Sequence, residues 1–188
     1  MKRLMVLVCA LALGAAKVMA GVRSGDAAPD FAATDSEGKS QKLADYKGKY
    51  VVLEWTNPGC PFVKRQYESH AMQDAQKAAE AKGAVWFTVG TGHAGTDWKK
   101  RIADTGATPT AVLPDGDGSV AKAFGAKTTP HVFVIGPDGK VIYEGAIDDD
   151  GENPKGAKNY VLAAIEESQG GKAVTKADTK PYGCGVHY

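Results

Sequence analysis

The chain has 188 residues, 43% of them hydrophobic, with 23 basic and 22 acidic side chains, three cysteines and a formal charge of +1. A near-neutral chain lacks the electrostatic footprint of a nucleic-acid binder, and three cysteines are too few for a disulfide scaffold. The length suits one domain, large enough to bury a core without staples.

Residues 1–20 read as a signal peptide. Lys2 and Arg3 form a basic start, residues 4–16 an apolar run, and Val18-Met19-Ala20 a small-residue cleavage site. Val8 before Cys9 breaks a lipid-attachment pattern. Cleavage after Ala20 would leave 168 residues, 20 basic side chains against 22 acidic ones, and Cys60 and Cys184 as the remaining thiols. No later stretch approaches the ~18 apolar residues that a membrane span needs. The expected organisation is a signal peptide over 1–20, one domain over 21–170 and a flexible tail over 171–188 carrying Cys184, in a periplasmic or secreted protein.

In chain order, 31–34 and 41–43 flank the turn-rich Asp35-Ser36-Glu37-Gly38 and predict a hairpin. Residues 50–55, β-branched and aromatic but for Glu54, predict a strand buried on both faces. Thr56-Asn57-Pro58-Gly59 ends it, and a helix starts at Cys60-Pro61, where proline's missing N–H costs nothing. Apolar or small residues recur at helical spacing from Val63 as far as Gly83. A second buried strand follows over 84–89, then a glycine-rich loop over 90–95, a short helix over 97–105, a brief strand over 111–113 and a short helix over 119–124. Residues 131–135 and 140–144, joined by Gly136-Pro137-Asp138-Gly139, form the clearest hairpin. A closing helix spans 159–168, and the tail beyond Gly170 has no periodicity. This order predicts an α/β fold with a central mixed sheet flanked by helices, an N-terminal hairpin extension and an irregular C-terminal tail.

Cys60 stands where a buried strand gives way to a helix, so unpaired N–H groups and the positive end of the helix dipole face its sulfur. Such a position can lower a cysteine pKa from about 8.5 into roughly the 3.5–7.5 range. Cys60 is therefore the candidate nucleophile. Glu54, an acid inside a buried strand, needs either a partner or a task; it is a candidate acid/base group or a hydrogen-bonded member of the sheet.

The segment Leu53-Glu54-Trp55-Thr56-Asn57-Pro58-Gly59-Cys60-Pro61-Phe62-Val63 and the pair Thr129-Pro130 resemble the thioredoxin superfamily and, within it, the AhpC/TSA redoxin group of thioredoxin-like and peroxiredoxin-like proteins. The resemblance covers residues 26–168 and implies a thioredoxin-like fold. It places Glu54 at the family's buried carboxylate, and Thr129 and a cis-Pro130 beside the nucleophilic sulfur, pairing with substrate backbone. It implies a thiol oxidoreductase with antioxidant capacity, acting on a peroxide or a protein disulfide and reduced by a thiol/disulfide donor protein. Two departures stand out. Val63 replaces the second cysteine of Cys-x-x-Cys, and Asn57 replaces the threonine that a peroxiredoxin carries three residues before its cysteine. The catalytic arginine of the peroxiredoxins is not assigned in this sequence; elimination among its few arginines leaves Arg101 as the candidate.

Cys184, between Gly183 and Gly185, is the candidate resolving cysteine, and these glycines allow a close backbone approach. A structural disulfide and an unpaired thiol remain the other readings, and a non-catalytic binding module with a fixed Cys60–Cys184 bridge remains the alternative function. His131, after Pro130, is either a substrate-binding or proton-transfer group or a packed strand residue. His70 reads as a helix-surface residue about 15 Å along the axis from Cys60.

Other motifs are assigned no ligand. Gly90-Thr91-Gly92-His93-Ala94-Gly95 matches a dinucleotide pattern in a chain with no second mononucleotide half. Asp115-Gly116-Asp117-Gly118 starts like a calcium loop, but Val120 and Ala126 stand at its required glycine and glutamate. Cys184 and His187 are two ligands at most, and Asp148-Asp149-Asp150 reads as a solvated loop or, alternatively, as part of the site rim. No cofactor or metal is expected; the oligomeric state is open.

Overall fold

A computed structural model describes residues 21–91 and 95–186. The expected signal peptide, the middle of the glycine loop and His187 fall outside them. The strands are β1 (Ala32–Thr34), β2 (Ser40–Lys42), β3 (Val51–Thr56), β4 (Val85–Gly90), β5 (Ala111–Pro114), β6 (Thr128–Thr129), β7 (His131–Ile135), β8 (Val141–Gly145) and β9 (Cys184–Gly185). The α-helices are α1 (Pro61–Glu68), α2 (Ala71–Ala81), α3 (Trp98–Thr105), α4 (Ser119–Phe124) and α5 (Tyr160–Gln169).

The central sheet has the order β5-β4-β3-β7-β8. β3 pairs in parallel with β4 and β4 with β5, whereas β7 runs antiparallel to both β3 and β8. β3 is the middle strand, and both of its faces are covered, so all six residues are buried. The expected mixed sheet, flanking helices and N-terminal hairpin β1–β2 are all present. Among the described residues no helix is long and apolar enough to cross a membrane.

Alternation along the strands divides the core. Val52, Trp86, Val132, Val134 and Tyr143 pack with Cys60, Val63, Met72 and Ile165 on the side of α1, α2 and α5. Val51, Leu53, Trp55, Phe87, Phe133 and Ile135 pack with Phe31 and with Phe124 of α4 on the other. Successive side chains point to opposite faces, so this division decides which residues can meet Cys60.

The structure corrects the single helix expected from Cys60 to Gly83. It breaks between α1 and α2, where His70 takes a left-handed backbone with φ 65°. Side chains hold the break: Gln73 Nε2 donates at 2.9 Å to the Tyr67 carbonyl, which also accepts from the His70 N–H at 3.2 Å, and Ser69 Oγ donates to Gln66 O at 3.1 Å. His70 is the cap of α2, and its expected distance along a continuous helix does not apply.

The acidic stretch at 115–118 caps α4. Asp115 is buried, and its carboxylate accepts from the N–H groups of Val120 at 3.0 Å and Ala121 at 2.8 Å. Asp115→Ala strands both donors and is expected to lower stability by about 2 kcal/mol. A urea midpoint that does not move would show the helix start to be held by other groups.

Candidate functional site

Cys60 forms the N-cap of α1 with φ −74° and ψ 124°, followed by Pro61 in the first turn. The Lys64 N–H donates to the Cys60 carbonyl at 3.0 Å, which fixes the residue on the helix end. The side chain is 2% exposed, although Gly59 and Pro61 on either side are exposed. As a thiol, Cys60 donates from Sγ to the Thr129 carbonyl at 2.9 Å. The Thr129-Pro130 peptide is cis, so the two motifs that carried the family resemblance do meet.

Cys184 completes the arrangement. β9 pairs antiparallel with β6, in a register that sets Cys184 opposite Thr129 and Gly185 opposite Thr128. Both cysteines are free thiols. Burial pushes the Cys60 thiol up, but hydrogen bonds from the Cys184 side chain and from the Val63 and Cys184 N–H groups outweigh it, and the net shift is downward. Cys184 moves the other way, to about 11, because its hydrogen bond to Cys60 holds its proton. The two thiols are thus shifted in opposite directions, Cys60 toward easier ionisation and Cys184 toward keeping its proton.

The tail runs along the edge of the sheet to reach this place. The Glu144 N–H donates to Ala177 O at 2.9 Å and the Thr179 N–H to Glu144 O at 3.0 Å, extending β8 outward. Tyr182 Oη then donates to Asp148 Oδ1 at 2.5 Å, Gln66 Nε2 donates to Asp148 Oδ2 at 2.6 Å and to Tyr182 Oη at 2.8 Å, and the Tyr182 ring lies 5.7 Å from that of Phe62. Asp148 is thus buried at the anchor, not part of a solvated loop. Of the two glycines expected to permit close approach, Gly183 does so. Its φ is +117°, and a Cβ there would lie 2.0 Å from the Thr129 carbonyl oxygen, whereas Gly185 faces open space.

Glu54 lies under the same face of the sheet. It is fully buried, and Oε2 accepts from Thr88 Oγ1 at 2.9 Å, Tyr67 Oη at 3.2 Å and, at the limit of range, Trp86 Nε1 at 3.5 Å. Oε1 has no partner among the described residues. Burial raises the carboxyl to about 7 against an ordinary 4.5, with those donors pulling the other way.

His131 does not join the site. It pairs with Trp55 across β3 and β7, so it points to the face opposite Glu54. It is fully buried, accepts at Nδ1 from the Lys127 N–H at 3.1 Å, and donates from Nε2 to Glu144 at 3.0 Å. Burial lowers its pKa despite Glu144, leaving a neutral ring that braces β7 against β8. The expected substrate contact is therefore corrected to its packed alternative. Arg101 lies 5.6 Å over the Tyr67 ring. Gly90 also has a packing reason, since a Cβ there would strike the Trp98 ring at 2.0 Å.

The comparisons agree with this geometry. The AhpC/TSA family model matches residues 24–144, well over half of the chain. The chain belongs to the AhpC/TSA family. Within that family it is 32% identical over 143 residues to the thiol-disulfide oxidoreductase ResA of Bacillus subtilis (strain 168), spanning 74% of this chain and 78% of that protein. Among solved structures, a conserved protein from Geobacillus kaustophilus superposes with a TM-score of 0.74 at 26% identity, covering 88% of this chain and 92% of that one. The thioredoxin domain of a thiol-disulfide oxidoreductase from Bacteroides vulgatus gives 0.56 at 28% identity, covering 66% and 89%. This AhpC/TSA chain thus has the thioredoxin-like fold expected of it.

Proposed function

We propose that the protein is an exported thiol–disulfide oxidoreductase that works with a non-vicinal pair, Cys60 as nucleophile and Cys184 as resolving thiol. The observation that carries this reading is the pairing of β9 with β6, which holds Cys184 beside Cys60 and lowers the Cys60 pKa. The name of the Bacillus relative supports the disulfide over the peroxide as substrate. So do the hydrogen-bond partners of Cys60, which include no Arg or Lys among the described residues.

The Cys60 thiolate attacks one sulfur of a substrate disulfide; a new S–S bond forms and the other substrate sulfur leaves as thiolate. Cys184 then gives up its proton and attacks Cys60, releasing the second substrate thiolate and leaving a Cys60–Cys184 disulfide. Two electrons have passed to the substrate, and a thiol/disulfide donor protein returns them. Glu54 serves as the buried acid/base group on this face of the sheet, while Thr129 and Pro130 shape the groove. Residues 1–20 direct the chain to the periplasm or exterior, and 171–188 form a functional tail on the 21–170 domain.

The test is to oxidise the folded chain with one equivalent of a small disulfide and map the product by mass spectrometry. A Cys60–Cys184 bridge that a dithiol reverses within minutes is expected. A bridge that resists reduction while the chain stays folded would favour a binding module with a static staple. Two inert thiols would end the enzymatic reading.

A further inference from the structure

A substrate sulfur borne on an extended peptide would meet Cys60 where the Cys184 thiol now lies, hydrogen-bonded to the Cys60 sulfur. The backbone bearing such a sulfur must then run beside Thr129, because the Thr129 carbonyl lies 2.9 Å from Cys60 Sγ. That run of backbone is also occupied. Cys184 and Gly185 pair with Thr129 and Thr128, the Val186 N–H donates to Lys127 O at 3.0 Å, and Tyr182 covers Phe62. The tail therefore lies as a cysteine-bearing extended peptide would lie, in the groove where one would have to bind.

Building on the thiol-exchange reading, we propose that residues 182–186 act as an internal substrate mimic that makes the Cys60 site selective for small disulfides. A disulfide carried on an extended polypeptide reacts only after the tail leaves β6. A small disulfide needs no strand pairing and approaches over the exposed turn at Gly59 and Pro61. Strand addition supplies main-chain hydrogen bonds to a docked peptide, and here the tail takes them in cis, at an effective concentration that an outside peptide must exceed.

Gly183 makes the idea testable without touching Cys60. Its left-handed backbone and the 2.0 Å approach of a would-be Cβ to Thr129 O mean that Gly183→Val cannot keep the tail docked. Two proteins are compared, Cys184→Ser and Gly183→Val/Cys184→Ser, so that the first attack is read without resolution. The probes are the thionitrobenzoate mixed disulfides of N-acetylcysteine amide and of a nine-residue peptide with a central cysteine. Cys60 attacks the cysteine sulfur in each case and thionitrobenzoate leaves as the coloured thiolate, so the probes differ in size alone.

In the Cys184→Ser protein the peptide is expected to react at least tenfold more slowly than the small probe. The added Gly183→Val should raise the peptide-to-small ratio at least tenfold, and any change in Cys60 reactivity cancels in that ratio. Tyr182→Ala in the Cys184→Ser background, which removes the anchor on Phe62 and Asp148, should move the ratio the same way and decides the matter if the valine variant does not fold. Equal rates for both probes in the Cys184→Ser protein, or an unchanged ratio on undocking, would overturn the proposal. If neither probe reacts with Cys60 in any variant, the thiol-exchange reading itself fails and takes this proposal with it.

Discussion

Cys60→Ser is expected to abolish disulfide exchange, with a fall of at least about a thousandfold, while Cys184→Ser keeps the first attack and stops at the mixed disulfide. The reason lies in the opposite shifts of the two thiols. Hydrogen bonds from the Cys184 side chain and from the Val63 and Cys184 N–H groups lower the Cys60 pKa, whereas Cys184 is raised to about 11. An alcohol in place of Cys60 has no accessible anion at neutral pH. Serine in place of Cys184 still offers an O–H donor to Cys60, so attack survives, but it cannot form the second S–S bond. Stopped-flow release of a coloured thiol gives the rates, and intact mass gives the trapped adduct. Equal activity of Cys60→Ser and the wild type would remove Cys60 from the chemistry. Free turnover by Cys184→Ser would show that resolution uses some other thiol.

Glu54→Gln is expected to change how stability depends on pH. Burial holds this carboxyl at about 7, while in the unfolded chain it ionises near 4.5. Between those values the unfolded state gives up a proton that the folded state keeps, so the wild type loses stability as pH rises through that window. Above about 7 both states are ionised and the loss is complete. Glutamine does not titrate, so the variant escapes the loss. Measured as the difference between variant and wild type, the gain should grow by roughly 3 kcal/mol from pH 4 to pH 8. Taking that difference removes any fixed change in the contacts to Tyr67, Trp86 and Thr88. Urea unfolding at the two pH values is the measurement, and an unchanged difference would show that Glu54 ionises in the folded chain as it does in the unfolded one. If Glu54 also handles protons during exchange, the variant's rate profile loses an inflection near 7.

What could be read from the sequence was local. The buried run that became β3, the Asn57-Pro58-Gly59 break, and Cys60-Pro61 at the start of a helix lie within a dozen residues, and together they placed Cys60 at the head of α1. The β7–β8 hairpin was equally legible, because its turn and alternation lie within fifteen residues. What could not be read depends on pairings between distant segments. His131 lay beside the right motif, but its side of the sheet is set by its register against Trp55. The break at His70 has no glycine or proline to announce it and rests on Gln73 reaching back to Tyr67. β6 and β9 are two residues each, too short to carry any period, and the anchor joins Gln66, Asp148 and Tyr182 from three separate parts of the chain. Gly183 beside Cys184 was the one sequence signal for the docking, and it named a close approach without naming the partner.

The seat of Cys184 against β6 also joins redox state to chain topology. A Cys-x-x-Cys disulfide closes a ring of a few residues and hardly restricts the unfolded chain, but a bond from Cys60 to Cys184 would tie the start of α1 to the C-terminal tail. Loop-closure entropy removed from the unfolded chain grows with the length enclosed, so oxidation would stabilise the fold against unfolding much as a long covalent staple does. Thermodynamic linkage then runs in reverse: whatever stabilises the oxidised fold more than the reduced one makes that disulfide harder to reduce, and the redox potential of this pair becomes a property of the whole domain.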